Sequence, residues 1–541
     1  MDESLFWSDQ LAQEIIKRQS FYYLQKTFKP RKTYVVKTSA SISGVLHLGR
    51  LSDTIRGNAL ATSLHDAGVK TTFLWVAEDM DPLRKIPKGV PQSYEQYLGV
   101  PVTDIPDPQG CHASYAEHNT TAYFHVLDEF VSEKMKRYSM RQEYKKGHFK
   151  TFIKKIMHHT DIVKEIQNKY RKTPLALTWS PWTPICQSCG KIITPKVLSV
   201  EDGIVRYVCS DYQFETTTAK GCGFEGTNDP LKGEGKLMWK SEWAAQWTRW
   251  KVCSEGAGKE YQVPGSAWWI NGEIAERVLG VPMPSPIFYE HLLIDNEKMS
   301  ASKGNVVYPA DWLAVAEPQV LRYFYNKRLM KTRSFSWKDL PLLYREFDSS
   351  EKIAHGITQL ENKKEEMHLK RLFEISQMTK EPHTAKIPYD MAAYVSQIVG
   401  DIDAGLERAI AIMQFTGHLD KHVTKKQKNQ IKKRLLLAKK WVDTYAPADL
   451  KIHVNENPPQ LSLNATEKQA ISALAEQLKK SLTEEELQNA LYHEAQSHQI
   501  EQKHFFKILY QLLISKDSGP RLGPFIIAIG KDRVTALLQK I

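Results

Sequence analysis

His47 stands in GVLHLG (44–49) between Gly44 and Gly49, residue types suited to holding phosphate. Where a strand turns into a helix, backbone N–H groups and the helix dipole attract anions. Glycine there lets a nucleotide approach the main chain, and an imidazole can donate to phosphate oxygens as charge builds in a transition state. Alone the pattern is weak: a His-x-Gly arises about once by chance in such a chain, and a helix N-cap with a surface histidine is the better explanation on that evidence. A second element far downstream, KMSASKG (298–304), changes the weighting. Two lysines on a Gly/Ser-rich loop can close over a triphosphate and neutralise a departing pyrophosphate, although a solvated basic loop is the bland alternative. Gly44, His47, Gly49, Lys298, Ser300, Ser302 and Lys303 are therefore the candidate ATP-binding residues. His47, Gly49, Lys298 and Lys303 are those expected to act on the reacting phosphates.

Two further clusters have metal-ligand spacing. Cys186-x2-Cys189 with Cys209 and Cys222 offers four thiolates, the ligand set of a structural zinc site, although the second pair is spread more widely than usual. Asp107, Cys111, His112 and His118 offer one thiolate, two imidazoles and a carboxylate, enough to complete a tetrahedral shell. The alternatives are incidental reduced cysteines and hydrogen-bonded surface histidines. Cys253 has no partner by spacing.

These residues need a frame. TYVVKT (33–38) reads as a buried strand, the stretch from His47 to Gly68 as a helix with one apolar face, and TFLWVA (72–77) as a second strand. Strand, tight loop, helix, strand is a βαβ unit, which points to a parallel nucleotide-binding sheet. The Pro-, Gly-, Cys- and His-rich segment 81–231 breaks this alternation and reads as an insertion stapled by structural metal. A strand is expected again over 287–294. From about 311 the period is helical, with capping-box spacing at Asn464/Glu467 and Thr483/Glu486, and 446–463 is the candidate linker.

The 541 residues are 42% hydrophobic and 25% charged, which excludes a disordered or fibrous chain and allows three or four folded units. Six cysteines argue against a disulfide scaffold. No apolar run approaches a membrane span and the acidic start MDESLF lacks a signal core, so the expectation is cytoplasmic, with no membrane partner. Lys+Arg 74 against Asp+Glu 62 gives a net charge of +12. The excess is concentrated in two patches: thirteen Lys/Arg against four acids over 133–172, and nine against none over 421–440. Two solvated helix faces would explain them; an extended polyanion explains both at once.

HLGR and KMSASKG resemble the HIGH and KMSKS motifs of class I aminoacyl-tRNA synthetases. DPQGCHASYAEHN, WKSEWAAQW, EPQVLRYFY, DTYAPADL and SGPRLGPFIIAIG are similar, in the same order, to the class I lysyl-tRNA synthetases, and the resemblance covers nearly the whole chain. It implies an α/β protein: a Rossmann-type parallel-sheet catalytic domain with a zinc-binding insertion, followed by an all-α stem-contact and anticodon-binding region. The implied division is 1–80 and 232–310 for the two catalytic halves, 81–231 for an acceptor-end insertion, 311–390 for stem contacts and 391–541 for the anticodon. The implied activity is lysine–tRNA ligation with ATP, Mg2+ and two structural Zn2+ ions, on L-lysine and tRNA(Lys). The match to DPQGCHASYAEH also strengthens Asp107, Cys111, His112 and His118 as a metal site.

The chain departs from the family pattern at Arg50, at Ala301 in place of the second KMSKS lysine, at Gln246 where the family suggests Arg, and in GAGKEY (256–261). Lysine's ammonium must be desolvated against a buried acid. Ser39, Asp79, Glu242, Trp243, Lys259 and Glu260 are the candidate substrate-binding residues, with Asp81 beside Asp79. Trp239, Trp243 and Trp247 share a helix face, as a core stripe or as a pocket wall. Lys145 and Lys146 represent the first basic patch, for the acceptor end, and Lys425, Lys426, Lys432 and Lys433 the second, for the anticodon arm. Trp441, Tyr445 and Phe525 are aromatic candidates that could equally be core. Three rivals remain: a class I synthetase of other amino-acid specificity, a small-molecule nucleotidylyltransferase, and a non-catalytic tRNA-binding paralogue.

Overall fold

A computed structural model describes residues 6–42, 45–87, 89–299, 305–379, 386–480 and 482–541. The chain forms two compact units, the first from Met1–Ala310, Pro318–Phe335 and Gly356–Lys380, the second from Asp311–Glu317, Ser336–His355 and Glu381–Ile541.

At the centre of the first unit lie five parallel strands, β1 (Tyr34–Ser41), β2 (Thr71–Glu78), β3 (Met135–Ser139), β4 (Val252–Gly258) and β5 (Ser285–Tyr289), in the order β5-β4-β1-β2-β3. β1 and β4 are buried along almost their whole length, as strands covered on both faces must be, which is why they read as apolar runs. The helix Leu48–Asp66 returns the chain from β1 to β2, closing the expected βαβ unit. Both strands run slightly longer than their apolar cores suggest, so that polar residues stand at their carboxyl ends.

Two expectations change. β3 falls inside the segment read as an insertion; it is an edge strand, MKRYS, whose exposed Lys136 and Arg137 leave no apolar run to detect. The strand expected over 287–294 is two: β5 ends at Tyr289, and Leu292–Ile294 pairs instead with Glu297–Lys298 and with Arg333–Phe335 in a separate small sheet. That pairing ties Pro318–Phe335 to the first unit rather than to the helices that follow it in sequence.

The second unit is helical. Capping boxes open helices at Thr424/Gln427, Asn464/Glu467 and Thr483/Glu486, the last two as expected. The candidate linker 446–463 has no regular structure but is fastened down: Asn455 N–H donates to Leu513 O at 2.8 Å and Ile452 N–H to Gln397 Oε1 at 2.6 Å. Trp441 and Phe525 are buried in this core and Tyr445 stacks on Trp337 at 4.1 Å, so the three aromatic candidates serve packing. Among the described residues no helix is long and apolar enough to cross a membrane.

Candidate active site

The carboxyl ends of β1, β2, β4 and β5 open into a cleft of about 570 Å³, where ligands of open α/β sheets bind. His47 caps the helix Leu48–Asp66 at its entrance: its Nδ1 accepts the Gly49 N–H at 3.1 Å. With Nδ1 committed as acceptor, the neutral ring carries its proton on Nε2, free to donate. Burial and the adjacent Arg50 push the His47 pKa down to about 4, so at neutral pH the ring is an uncharged donor. Gly49 is closely packed: a Cβ there would come within 2.9 Å of both His47 Cε1 and Met299 Cε, so the capping imidazole and the methionine end would have to shift. Gly49 and Met299 thus bring the two sequence segments together, and Lys298 lines the same cleft. Gly44, Ser300, Ser302 and Lys303, and the variant position Ala301, lie outside the described residues.

The floor of the cleft is acidic and centres on a residue with no motif to mark it. Glu255 is buried in β4 opposite Lys37 of β1, whose ammonium sits 2.5 Å from its Oε1. Its other oxygen accepts both indole N–H groups, Trp243 at 2.9 Å and Trp247 at 2.7 Å, and Ser39 Oγ donates to Oε1 at 3.3 Å. The tryptophan stripe is therefore both things: Trp243 and Trp247 are buried core, while Trp239 and Trp243, stacked at 4.7 Å, line the cleft.

Among the described residues, two other carboxyls that line the cleft keep an oxygen with no hydrogen-bond partner. Asp53 Oδ2 accepts Ser39 N–H at 3.3 Å, whereas its buried Oδ1 has no partner and lies where a Cβ on Gly256 would be. Burial and then the Glu255 charge raise the Asp53 pKa to about 7. Glu78 Oε2 accepts Gln246 Nε2 at 3.0 Å and Oε1 accepts no hydrogen bond; burial raises its pKa, partly offset by Lys37. At Gln246, where the family suggests arginine, this chain supplies only a neutral donor to Glu78. Buried carboxylates left short of donors are poised for a cationic ligand.

Three expected substrate contacts are corrected by where their side chains go. Asp79 does not reach the cleft: it accepts the Arg141 N–H at 2.9 Å, and its neighbours Glu78 and Asp81 line the site instead. Asp81 is held by Ser41 Oγ at 2.8 Å and Lys236 Nζ at 3.1 Å. Glu242 lies behind that lysine, 3.1 Å from Lys236 and accepting the Tyr144 hydroxyl at 2.7 Å. Lys259 pairs with Glu290 at 3.0 Å, away from the lining. Ser39, Trp243 and Glu260 do line the cleft, with Glu260 3.0 Å from His291.

The structure brings the residues of each candidate ligand set together. The Cys186, Cys189, Cys209 and Cys222 sulfurs lie within 4.8 Å of one another, with Cys186–Cys222 and Cys189–Cys209 at 3.6 Å; sulfurs around zinc are about 3.8 Å apart. The wide spacing before Cys222 is a small hairpin, Tyr212–Gln213 against Thr218–Ala219, that returns the chain to the site. Cys111 Sγ lies 3.2 Å from Asp107 Oδ2, 3.1 Å from His112 Nδ1 and 3.3 Å from His118 Nδ1, edges close to those of a mixed tetrahedral shell of about 3.5 Å. Each donor set fits one four-coordinate ion.

Both basic patches carry exposed cations. Lys145 and Lys146 are exposed, continuing into the exposed Lys150, Lys154 and Lys155. In the helix Lys425–Thr444, Lys432 pairs with Asp403 and Lys428 with Glu407 at 2.6 Å; Lys425, Lys433 and Lys440 are exposed, and so is Lys426. Lysines in a helix's first turn oppose its dipole, and this turn has no acid to compensate them.

The family model described as tRNA synthetases class I (K) matches residues 5–379. A lysine–tRNA ligase of Thermococcus kodakarensis is 32% identical over 546 residues, covering 98% of this chain and 99% of its own, and one of Methanosphaera stadtmanae is 28% identical over 544 residues, covering 98% of each. Among solved structures, a glutamate tRNA ligase of Elizabethkingia meningosepticum aligns with TM-score 0.44 at 12% identity, over 94% of this chain and 99% of its own. The matched span takes in the cleft, both candidate ligand sets and the whole parallel sheet, and this chain belongs to the class I tRNA synthetases of the K family.

Proposed function

We infer that this chain activates lysine with ATP and transfers it to the 3′ end of tRNA(Lys). The observation that supports it best is the convergence, in one cleft, of a neutral histidine donor beside Lys298 with a floor of under-satisfied carboxyls. His47 Nε2 and the Gly49 main chain are assigned to the ATP phosphates and Lys298, with Lys303, to the leaving pyrophosphate. Asp53 and Glu78 are assigned to the ammonium groups of lysine, and the Trp239–Trp243 stack to its aliphatic stem. Attack by the substrate carboxylate on the α-phosphate needs no protein nucleophile, so positioning and charge stabilisation carry the rate. ATP brings Mg2+; the two four-residue donor sets are assigned to structural zinc. By the same reading, 81–231 serves the acceptor end, 311–390 the stem and 391–541 the anticodon. Ala301 favours one rival, a non-catalytic tRNA-binding relative.

One sample decides between them. Lysine-dependent pyrophosphate exchange is expected without tRNA, exceeding that with any other amino acid, with two zinc ions per chain by elemental analysis. Cys209→Ser should lower the zinc content by one and the melting temperature with it. No exchange with lysine supports the non-catalytic relative; exchange with another amino acid supports different specificity.

The C-terminal patch has its own test. Lys425→Gln, Lys433→Gln and Lys440→Gln together should weaken tRNA binding and flatten its salt dependence by about one unit of slope for each phosphate no longer neutralised. Unchanged affinity and slope in a salt titration would leave the patch a matter of solubility alone.

A further inference from the structure

Both peptide groups that flank Leu48, the residue between His47 and Gly49, are held from outside the helix they open. The Leu48 N–H donates to Val307 O at 2.7 Å, and the Leu48 carbonyl oxygen accepts the Tyr325 hydroxyl at 2.9 Å. The second contact bears on the chemistry, because that carbonyl shares its peptide plane with the Gly49 N–H, the group that His47 Nδ1 accepts at 3.1 Å. A trans peptide unit is planar, so its C=O and N–H point in opposite directions and turn together. Holding Leu48 O with Tyr325 therefore fixes where the Gly49 N–H points.

The result is one continuous chain: Tyr325 O–H to Leu48 O, then Gly49 N–H to His47 Nδ1. Hydrogen bonds in such a chain polarise one another in a low-dielectric site, so a phenol donating to the amide oxygen makes the amide N–H a better donor. A better donor at Nδ1 favours the tautomer that carries its proton on Nε2. Tyr325 is suited to this task. It is 2% exposed, so its hydroxyl meets the amide in a site closed to bulk water. The Arg56 guanidinium lies 5.2 Å from the Tyr325 ring centroid and 4.6 Å from that of Tyr289, which lines the cleft. A cation at the face of a phenol draws on its ring electrons and strengthens the O–H as a donor. Burial alone asks only that the hydroxyl find some acceptor; here the acceptor belongs to the one amide that His47 reads. The brace also comes from a telling direction. Val307 and Tyr325, the latter on the helix Pro318–Asn326, follow the stretch that brings Lys298 to the cleft, and Asn305 Nδ2 donates to Lys298 O at 3.2 Å.

We propose that Tyr325 is a positioning residue for adenylate formation: acting through the Leu48–Gly49 peptide, its hydroxyl holds the His47 imidazole with Nδ1 as acceptor and Nε2–H as the donor available to the ATP phosphates. The proposal rests on the lysine–tRNA ligase reading and deepens it by naming the residue that sets the tautomer of its histidine.

The test uses the full-length chain. Tyr325→Phe removes the hydroxyl and keeps the ring; it should lower kcat for lysine-dependent pyrophosphate exchange about tenfold, the worth of one hydrogen bond, with the KM values for ATP and lysine within about twofold. In a double variant with His47→Ala the tyrosine change should cost nothing further, because Tyr325 acts only through that imidazole. NMR of isotopically labelled histidine ring nitrogens, with the His47 signals identified by their loss in His47→Ala, reads the ring directly. At neutral pH the unaltered chain should show a protonated Nε2 and a bare Nδ1, and Tyr325→Phe should raise the share of the Nδ1–H tautomer. Exchange at the unaltered rate in Tyr325→Phe, losses that multiply in the double variant, or a His47 tautomer indifferent to Tyr325→Phe would each overturn the role. So would a protonated Nδ1 in the unaltered chain, a result that requires no variant to fold. Failure of lysine-dependent exchange in the unaltered chain is a different result: it overturns the ligase reading, while the ring spectra still decide whether Tyr325 sets the tautomer.

Discussion

Lys37→Met is expected to destabilise the first unit by about 3–5 kcal/mol, the usual cost of removing one member of a buried ion pair. Lys37 is fully buried and Glu255 is 1% exposed. Without the ammonium, the carboxylate keeps Ser39 Oγ and the two indole N–H groups, but its charge stays in a low-dielectric site with no counter-ion. The second variant decides the cause. Adding Glu255→Gln removes the stranded charge while an amide oxygen can still accept from Trp243 and Trp247, so the double variant should recover much of the stability. Tryptophan fluorescence reports on this locally, because both indoles touch the residue being changed. A double variant less stable than Lys37→Met would show that Lys37 matters through packing of its stem or as counter-ion to Glu78, 3.9 Å from its ammonium, and not as counter-ion to Glu255.

That pair also shows what is legible in a sequence and what is not. A lysine within TYVVKT and a glutamate within VCSEGAG are charges inside strands buried along almost their whole length. Such residues are almost never buried unless paired, so each calls for a partner; the parallel register that sets Lys37 opposite Glu255 is a long-range fact with no local signature. His47, Gly49 and Lys298 are legible because their chemistry is local to two short segments. Asp79 is misplaced for a reason of period: successive residues at a strand end face opposite ways, so only the true end of β2 at Glu78 decides which acid enters the cleft. The edge strand β3 is hidden by its lysine and arginine, and the return of the chain to Cys222 by a hairpin too short to announce itself. The division into two units follows pairing of Leu292–Ile294 with Arg333–Phe335, which no composition boundary marks.

His47→Ala should lower lysine-dependent pyrophosphate exchange by about 10²–10³-fold, the effect of removing one donor aimed at developing charge. The effect should be chemical and not structural. As N-cap, His47 contributes one side-chain hydrogen bond to the Gly49 N–H, and losing a cap costs about 1 kcal/mol, while Leu48 N–H keeps its bond to Val307 O at 2.7 Å. The protonation state gives a second readout. With its pKa pushed down to about 4 by burial and Arg50, the imidazole is neutral from pH 6 to 8, so the exchange rate of the unaltered chain should show no limb near pH 6.5 attributable to this residue. Were the imidazolium the active donor, activity would fall as pH rises through the ring's pKa; a neutral Nε2 donor loses activity only toward its low pKa, as Nδ1 gains a proton and gives up the Gly49 N–H. Exchange at the unaltered rate in His47→Ala, or a limb between pH 6 and 7 that this substitution abolishes, would refute the neutral-donor role. A donor that carries no charge in the resting site can strengthen its hydrogen bond as charge builds on the phosphate without first binding ATP more tightly, so the substitution should act on kcat more than on the KM for ATP.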